Sequence, residues 1–301
     1  MTSDRTPEGR LSADSCSVGA RARQDPLVGS APPARGWLLF ECPGPWPVKA
    51  TRLFGDLGVE MDRRTLAAQV RPMLLRRPGR VEPGASRSWW FIDSVEQTSM
   101  RGEWSSAADV RAALDLVDVS RDAATAAMTD AEPMILVCAH AKHDVCCAVR
   151  GRPIAAELAT RWPEWVWECS HLGGDRFAGN IAMLPDSVFY GGLDTHEAVS
   201  LVADHLAGEL TLEHFRGTGR HTSATQAAIG ELLRRSGSRR LADVTAARVH
   251  PAGDGVWEIE LRGRGTLPAH TVLTVERRWR TPERLTCSGL QPKTAAEYVV
   301  R

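Results

Sequence analysis

Two short apolar runs, Pro133–Cys138 (PMILVC) and Trp165–Cys169 (WVWEC), bracket a stretch with helical repeat, Arg152–Arg161. Each run has the length of a buried strand and falls far short of the roughly 20 residues a membrane span needs. In the intervening helix Ile154 and Leu158 recur at i, i+4, and Pro153 is acceptable in a first turn. A strand–helix–strand crossover is right-handed and makes its strands parallel. The loops leaving both strands therefore emerge at one edge of the sheet, where open α/β sheets place their sites. The first loop, Ala139–Val149, carries Cys146 and Cys147. The second, Ser170–Gly179 (SHLGGDRFAG), carries His171, Gly173, Gly174, Asp175 and Arg176.

Asn180–Leu184 and Val188–Tyr190 read as a hairpin around Pro185-Asp186-Ser187. Asp194–Leu206 reads as a helix, with Asp194 at the N-cap and Glu197 completing a capping box. The resulting order, β-α-β-β-β-α, is that of the thioredoxin core. Upstream, residues 1–35 are rich in Ser, Arg, Gly and Pro, and residues 1–24 are assigned to a disordered tail. Trp37–Glu41 and Ser88–Asp93 read as strands. Cys42–Pro47, with three prolines, reads as a stiff loop, Asp62–Leu75 and Ala107–Val117 as helices, and Asp118–Glu132 as a connector. Downstream, Thr222–Arg235 reads as a helix, and Val244–Val249, Val256–Leu261 and Thr271–Trp279 as antiparallel strands. The fold class is α/β: a thioredoxin-like core over 131–212, an N-terminal α/β region over 25–130, and a small C-terminal α+β region over 213–301. No internal repeat is evident.

Composition narrows the function. With 43% hydrophobic and 25% charged residues the chain is an ordinary soluble globular protein. Lys+Arg and Asp+Glu both number 37, so the basic excess of a nucleic-acid binder is missing. The polar N-terminus has no secretory core and no run can span a membrane, which points to the cytoplasm. An odd count of seven cysteines argues against a disulfide framework. Clustered cysteines in a reducing compartment more often mean metal or redox chemistry, and four of the seven fall between 138 and 169.

Topology brings Cys138, at the end of the first strand, together with Cys147 and His171. Thiolate and imidazole suit zinc, iron and iron–sulfur clusters, not magnesium or calcium. Gly173 and Gly174 let the backbone wrap closely around a bulky group. Cys146 adjoins Cys147 and points away from it. Cys16, Cys42 and Cys287 read as small core residues, and His140 and His143 as either supports behind the ligands or solvated, the solvated reading being favoured. The remaining histidines are scattered, and the ten tryptophans read as packing residues.

These motifs resemble the sucrase/ferredoxin-like family. The resemblance rests on Cys138-Ala-His-Ala-Lys-His-Asp-Val-Cys-Cys147, Arg150-Gly-Arg-Pro153, the run Trp167–Asn180, Leu184-Pro and Tyr190-Gly. Asp25-Pro-Leu-Val-Gly-Ser30 and Trp37–Trp46 extend it to about residues 25–215. It implies a thioredoxin-fold ferredoxin holding a [2Fe–2S] cluster through two cysteines and two histidines. The cysteines carry over to Cys138 and Cys147 and the first histidine to His171. The second histidine position, beyond the glycines, is Asp175 here. Asp175 can bind through its carboxylate, Cys169 can supply a thiolate instead, or no cluster is held. Arg176 stands beside the site, able to stabilise a reduced cluster or dock an acidic partner, or simply facing solvent. The implied role is one-electron transfer or redox sensing with a partner protein, without substrate turnover.

Two rival readings use the same residues. One is a thiol oxidoreductase with Cys147 activated at a helix N-terminus, although there is no C-x-x-C. The other is a structural zinc module of Cys138, Cys147, Cys169 and His171. No carboxylate pair marks a glycosidase, and no glycine-rich phosphate loop follows a strand.

Overall fold

A computed structural model describes residues 11–79, 87–118, 128–289 and 291–301. In chain order the elements are α1 Cys16–Ala22, β1 Gly36–Glu41, α2 Gly55–Ala67, β2 Val70–Arg76, β3 Arg87–Asp93, β4 Thr98–Trp104, α3 Ala107–Asp115 and β5 Thr129–Asp130. Then come β6 Met134–Cys138, α4 Val145–Arg161, β7 Val166–Cys169, β8 Ile181–Leu184, β9 Val188–Tyr190, α5 Thr195–Leu206, β10 Phe215–Thr218 and α6 Ser223–Ser236. The chain ends with β11 Val244–Gly253, β12 Val256–Gly263, β13 Thr271–Trp279 and β14 Ala296–Val300.

Ten strands form one mixed sheet in the order β10-β9-β8-β6-β7-β2-β1-β3-β4-β5. The protein is therefore α/β. The crossover β6-α4-β7 makes a parallel pair with Cys138 opposite Cys169, and β8 and β9 follow antiparallel. β6 is buried at all five positions, as a run with no polar alternation requires. The first half of the sheet has the same order. β1 and β2 are parallel around α2, β3 and β4 are antiparallel, and α3 follows. The halves join edge to edge where β2 pairs antiparallel with β7. This duplication has no counterpart in residue identity, because strand order needs only apolar runs of the right length.

Several sequence-based expectations are corrected. The helix expected over Asp62–Leu75 ends at Ala67, and Val70, Met73 and Leu74 lie on strand β2. Gln69 at φ 55° leaves the helical region, and Pro72 would have removed a bond from a continuing helix. Residues 1–10 of the supposed tail lie outside the described residues, but Cys16–Ala22 is a helix with Cys16, Ser17 and Ala20 buried. Helix α4 starts seven residues before Arg152, because Asp144 caps it by accepting from the Cys146 N–H at 2.8 Å. Cys146 and Cys147 thus sit in its first turn, and Pro153 in its interior. The Asp194–Glu197 capping box is present on α5.

The C-terminal strands make a separate four-stranded antiparallel sheet, β11-β12-β13-β14. It does not stand apart. Ile259, Leu261, Leu273 and Val275 share one core with Ile229 and Leu233 of α6 and with Tyr190 and Phe215 of the large sheet.

Candidate metal centre

Three elements deliver the donors. Cys138 ends β6, Cys147 lies in the first turn of α4, and His171 opens the loop after β7. Their ligand atoms all lie within 4.8 Å of one another. Asp175 joins them, with Oδ1 3.0 Å from His171 Nδ1 and 3.4 Å from Cys147 Sγ. The thiols are fully buried, whereas the His171 side chain is 26% exposed, so the centre has a dry sulfur side and a wet imidazole side.

His143, read as solvated, belongs to the site. Its ring stacks on His171 with centroids 3.6 Å apart, and its Nε2 is 3.7 Å from Asp175 Oδ2. His143, His171 and Asp175 form a second donor set within 4.8 Å. The signal was its place four residues before Cys147, on the loop already bearing the thiols. His140 is not solvated either. It is 2% exposed against Trp46, and neither ring nitrogen makes a well-formed hydrogen bond. Cys169 is fully buried and belongs to none of these donor groups. Cys146 turns away from Cys147, as expected, but toward Cys16 and Cys287.

The protons in this arrangement are shared. The Cys147 thiol donates toward Cys138 and, with His171 close by, holds the Cys138 thiol well below its usual range against the opposing effect of burial. Cys147 is pushed up by Cys138 and by burial. Burial would lower the His171 imidazole, but Asp175 and Cys138 raise it to about 9. Burial would raise Asp175, and His171 and His143 overcome it and hold the carboxyl low.

Two arginines, unremarked in the sequence, fix the loop: Arg216 is buried and Arg71 partly buried. Arg71 Nη2 donates to the carbonyls of His171 (3.2 Å) and Leu172 (3.1 Å). Arg216, 1% exposed, donates to the carbonyls of Gly173 (2.9 Å) and Ser30 (2.7 Å) and to Asn180 Oδ1 (2.9 Å). Gly173 and Gly174 take φ of 91° and 78°, and a Cβ on Gly174 would overlap the Arg216 guanidinium. Burial lowers Arg71 to about 10 and Arg216 to about 9, against the opposing pull of the Cys138 thiol, the one held low. The Arg216 guanidinium, buried without a carboxylate partner among the described residues, calls for an anionic neighbour, and Arg71 adds a second positive charge beside it. Arg176, in contrast, turns away from the donors. Its side chain, 12% exposed, pairs with Asp25 at 3.3 Å and lies over Phe177, so it neither faces solvent nor offers a docking charge.

A cleft of about 500 Å³ lined by Trp90, Trp167, Arg77 and Glu132 contains none of the donors. No described helix is long and apolar enough to cross a membrane.

Residues 27–217 match the sucrase/ferredoxin-like family. The chain belongs to that family. Neither a curated protein nor a solved structure matches it. The family match spans every donor of the centre and stops before the C-terminal sheet. Tested against a [2Fe–2S] group, the residues present fit. The donors are a thiol pair and an imidazole–carboxylate pair, a set that could hold such a group, beside positive charge that would suit an anionic cluster.

Proposed function

We propose that this sucrase/ferredoxin-like protein is a cytoplasmic one-electron carrier or redox sensor on a thioredoxin-like fold, with a [2Fe–2S] cluster held by Cys138, Cys147 and His171. Asp175 supplies the fourth ligand, and His143 stands as its nearest substitute. The observation that carries this reading is the meeting of two buried thiols, from a strand end and a helix start, with one partly exposed imidazole on a loop pinned by Arg71 and Arg216. The cluster, when bound, supplies a reversible one-electron couple, less negative when imidazole replaces thiolate. The chain's own residues do the rest. Cys138 and Cys147 keep the sulfur side dry, Arg71 and Arg216 favour the more negative reduced state, and Gly173 and Gly174 give the room. His171 is the exposed edge through which a partner protein exchanges the electron.

The closeness of Cys138, Cys147 and His171, within 4.8 Å of one another, favours a second reading, one zinc ion held by these three with Asp175 beside His171. Anaerobic purification with a visible spectrum and iron and sulfide assays separates the two. About two irons and two sulfides per chain are expected. A colourless protein without sulfide overturns the cluster.

A further inference from the structure

Outside this centre the structure holds a second convergence of thiols. We propose that Cys16, Cys146 and Cys287 bind a zinc ion, with Asp144 as the fourth donor. The three sulfurs form a triangle with sides of 3.7 Å (Cys16–Cys146), 3.2 Å (Cys146–Cys287) and 3.5 Å (Cys16–Cys287). None is in a disulfide. Tetrahedral zinc with Zn–S bonds of about 2.3 Å sets its sulfurs roughly 3.8 Å apart, so little movement is needed to admit the ion. The three cysteines come from α1, the first turn of α4, and the segment between β13 and β14. Small thiols used merely as filling have no reason to gather from three such distant places.

Asp144 organises the set. Its Oδ1 accepts from the Cys146 N–H at 2.8 Å, and its Oδ2 from the Cys287 N–H at 2.6 Å and the Thr286 hydroxyl at 3.0 Å. Three of a carboxylate's roughly four lone-pair sites are thereby filled, which leaves one for a metal. Cys16 Sγ lies 3.6 Å and 3.9 Å from the two oxygens, and all four donor atoms fall within 4.8 Å of one another. The Cys16 N–H points at Cys287 Sγ at 3.4 Å, a bond that favours thiolate there. Arg284 donates to the Cys287 carbonyl at 2.7 Å and to the Asp14 carbonyl at 3.2 Å, tying the two chain segments beside the site.

Adjacent residues on a helix diverge by about 100°. Cys146 and Cys147 use that divergence to serve two different centres from one helical turn. Binding releases the thiol protons to solvent and leaves the zinc redox state unchanged. Cys16 and Cys287 lie outside the 27–217 family match and Asp144 and Cys146 inside it, so the site draws half its donors from the flanking segments of this chain. It would staple both of them to the helix that carries Cys147.

The test is metal analysis of the full chain purified anaerobically with zinc and iron supplied. Cys16→Ser and Cys287→Ser should each hold about one zinc per chain fewer than the wild type, while Cys147→Ser keeps about one zinc at the trio. The Cys287→Ser variant should keep whatever iron and visible spectrum the wild type has, so the outcome is independent of the [2Fe–2S] reading. Cobalt added to chelator-stripped wild type should give thiolate-to-metal charge-transfer absorption, and chelation should open Cys16, Cys146 and Cys287 to alkylation without any substitution. Zinc content unaffected by both Ser variants, a two-hydrogen mass deficit marking a disulfide in this trio, or alkylation of the trio indifferent to chelator would each overturn the proposal. Iron in place of zinc at these cysteines would do so as well.

Discussion

Asp175 is where one residue sets the chemistry. If the proposed cluster is bound, a carboxylate in place of imidazole would add negative charge at it and make electron uptake harder. Asp175→His should therefore raise the midpoint potential in a redox titration, and an equal or lower value would remove Asp175 from the ligand set. Gly151 is the other decisive position. It packs α4 against the end of β6, where a Cβ would overlap the Cys138 carbonyl oxygen. Gly151→Ala should cost about 1–3 kcal/mol in denaturant melts, as overpacking does, and should reduce iron content by displacing Cys138. Both residues were visible in the sequence, Asp175 as a departure from a motif and Gly151 within Arg150–Pro153. The close approach of Gly151 to Cys138 was not, because it depends on where the helix lies over the strand.

At the scale of elements, the loop after β7 matters most, since it carries His171 and Asp175 with only a single 3-10 turn, Asp175–Phe177, of its own. It is positioned by Arg71 on β2 and Arg216 on β10, which reach it from opposite sides in sequence. Arg71→Gln keeps a donor for the His171 and Leu172 carbonyls and removes the charge. The fold should survive, and the midpoint potential should fall as a partly buried cation is withdrawn from a cluster that gains an electron. A midpoint unchanged in that variant would mean that Arg71 acts only as a tie. Sequence periodicity found β6, α4 and β7 but misplaced the helix start, because the cap at Asp144 looks like any loop aspartate until its partner N–H groups are known.

For the whole molecule, the C-terminal sheet and α6 share a core with the β6–β9 half. Thermal unfolding should therefore show one cooperative calorimetric transition, and a separate low-temperature transition would contradict the shared core. His221 lies where the two sheets meet, lining a cleft of about 400 Å³ with Arg35, Arg220, Trp257 and Tyr298. Burial, with Arg220 and Arg35 beside it, lowers its pKa to about 4. The unfolded chain takes up that proton near pH 6.5, and the folded chain only near 4. Its contribution is therefore complete above about pH 6.5 and is lost as the pH falls toward 4. In urea melts across that interval His221→Gln should lose less stability than the wild type, and parallel losses would show that His221 does not drive them.

The sequence by itself determined the α/β class, the strand–helix–strand unit, the α5 capping box, and the meeting of Cys138, Cys147 and His171. Those follow from local periodicity and the handedness of one crossover. Only the tertiary structure decided the rest: the duplicated half-sheet, the places of His143 and His140, the inward turn of Arg71 and Arg216, and the trio of Cys16, Cys146 and Cys287. Contacts between residues more than a hundred positions apart leave no periodic trace in the chain, and a lone cysteine or arginine reads alike in a core, on a surface or in a site until its neighbours are in place.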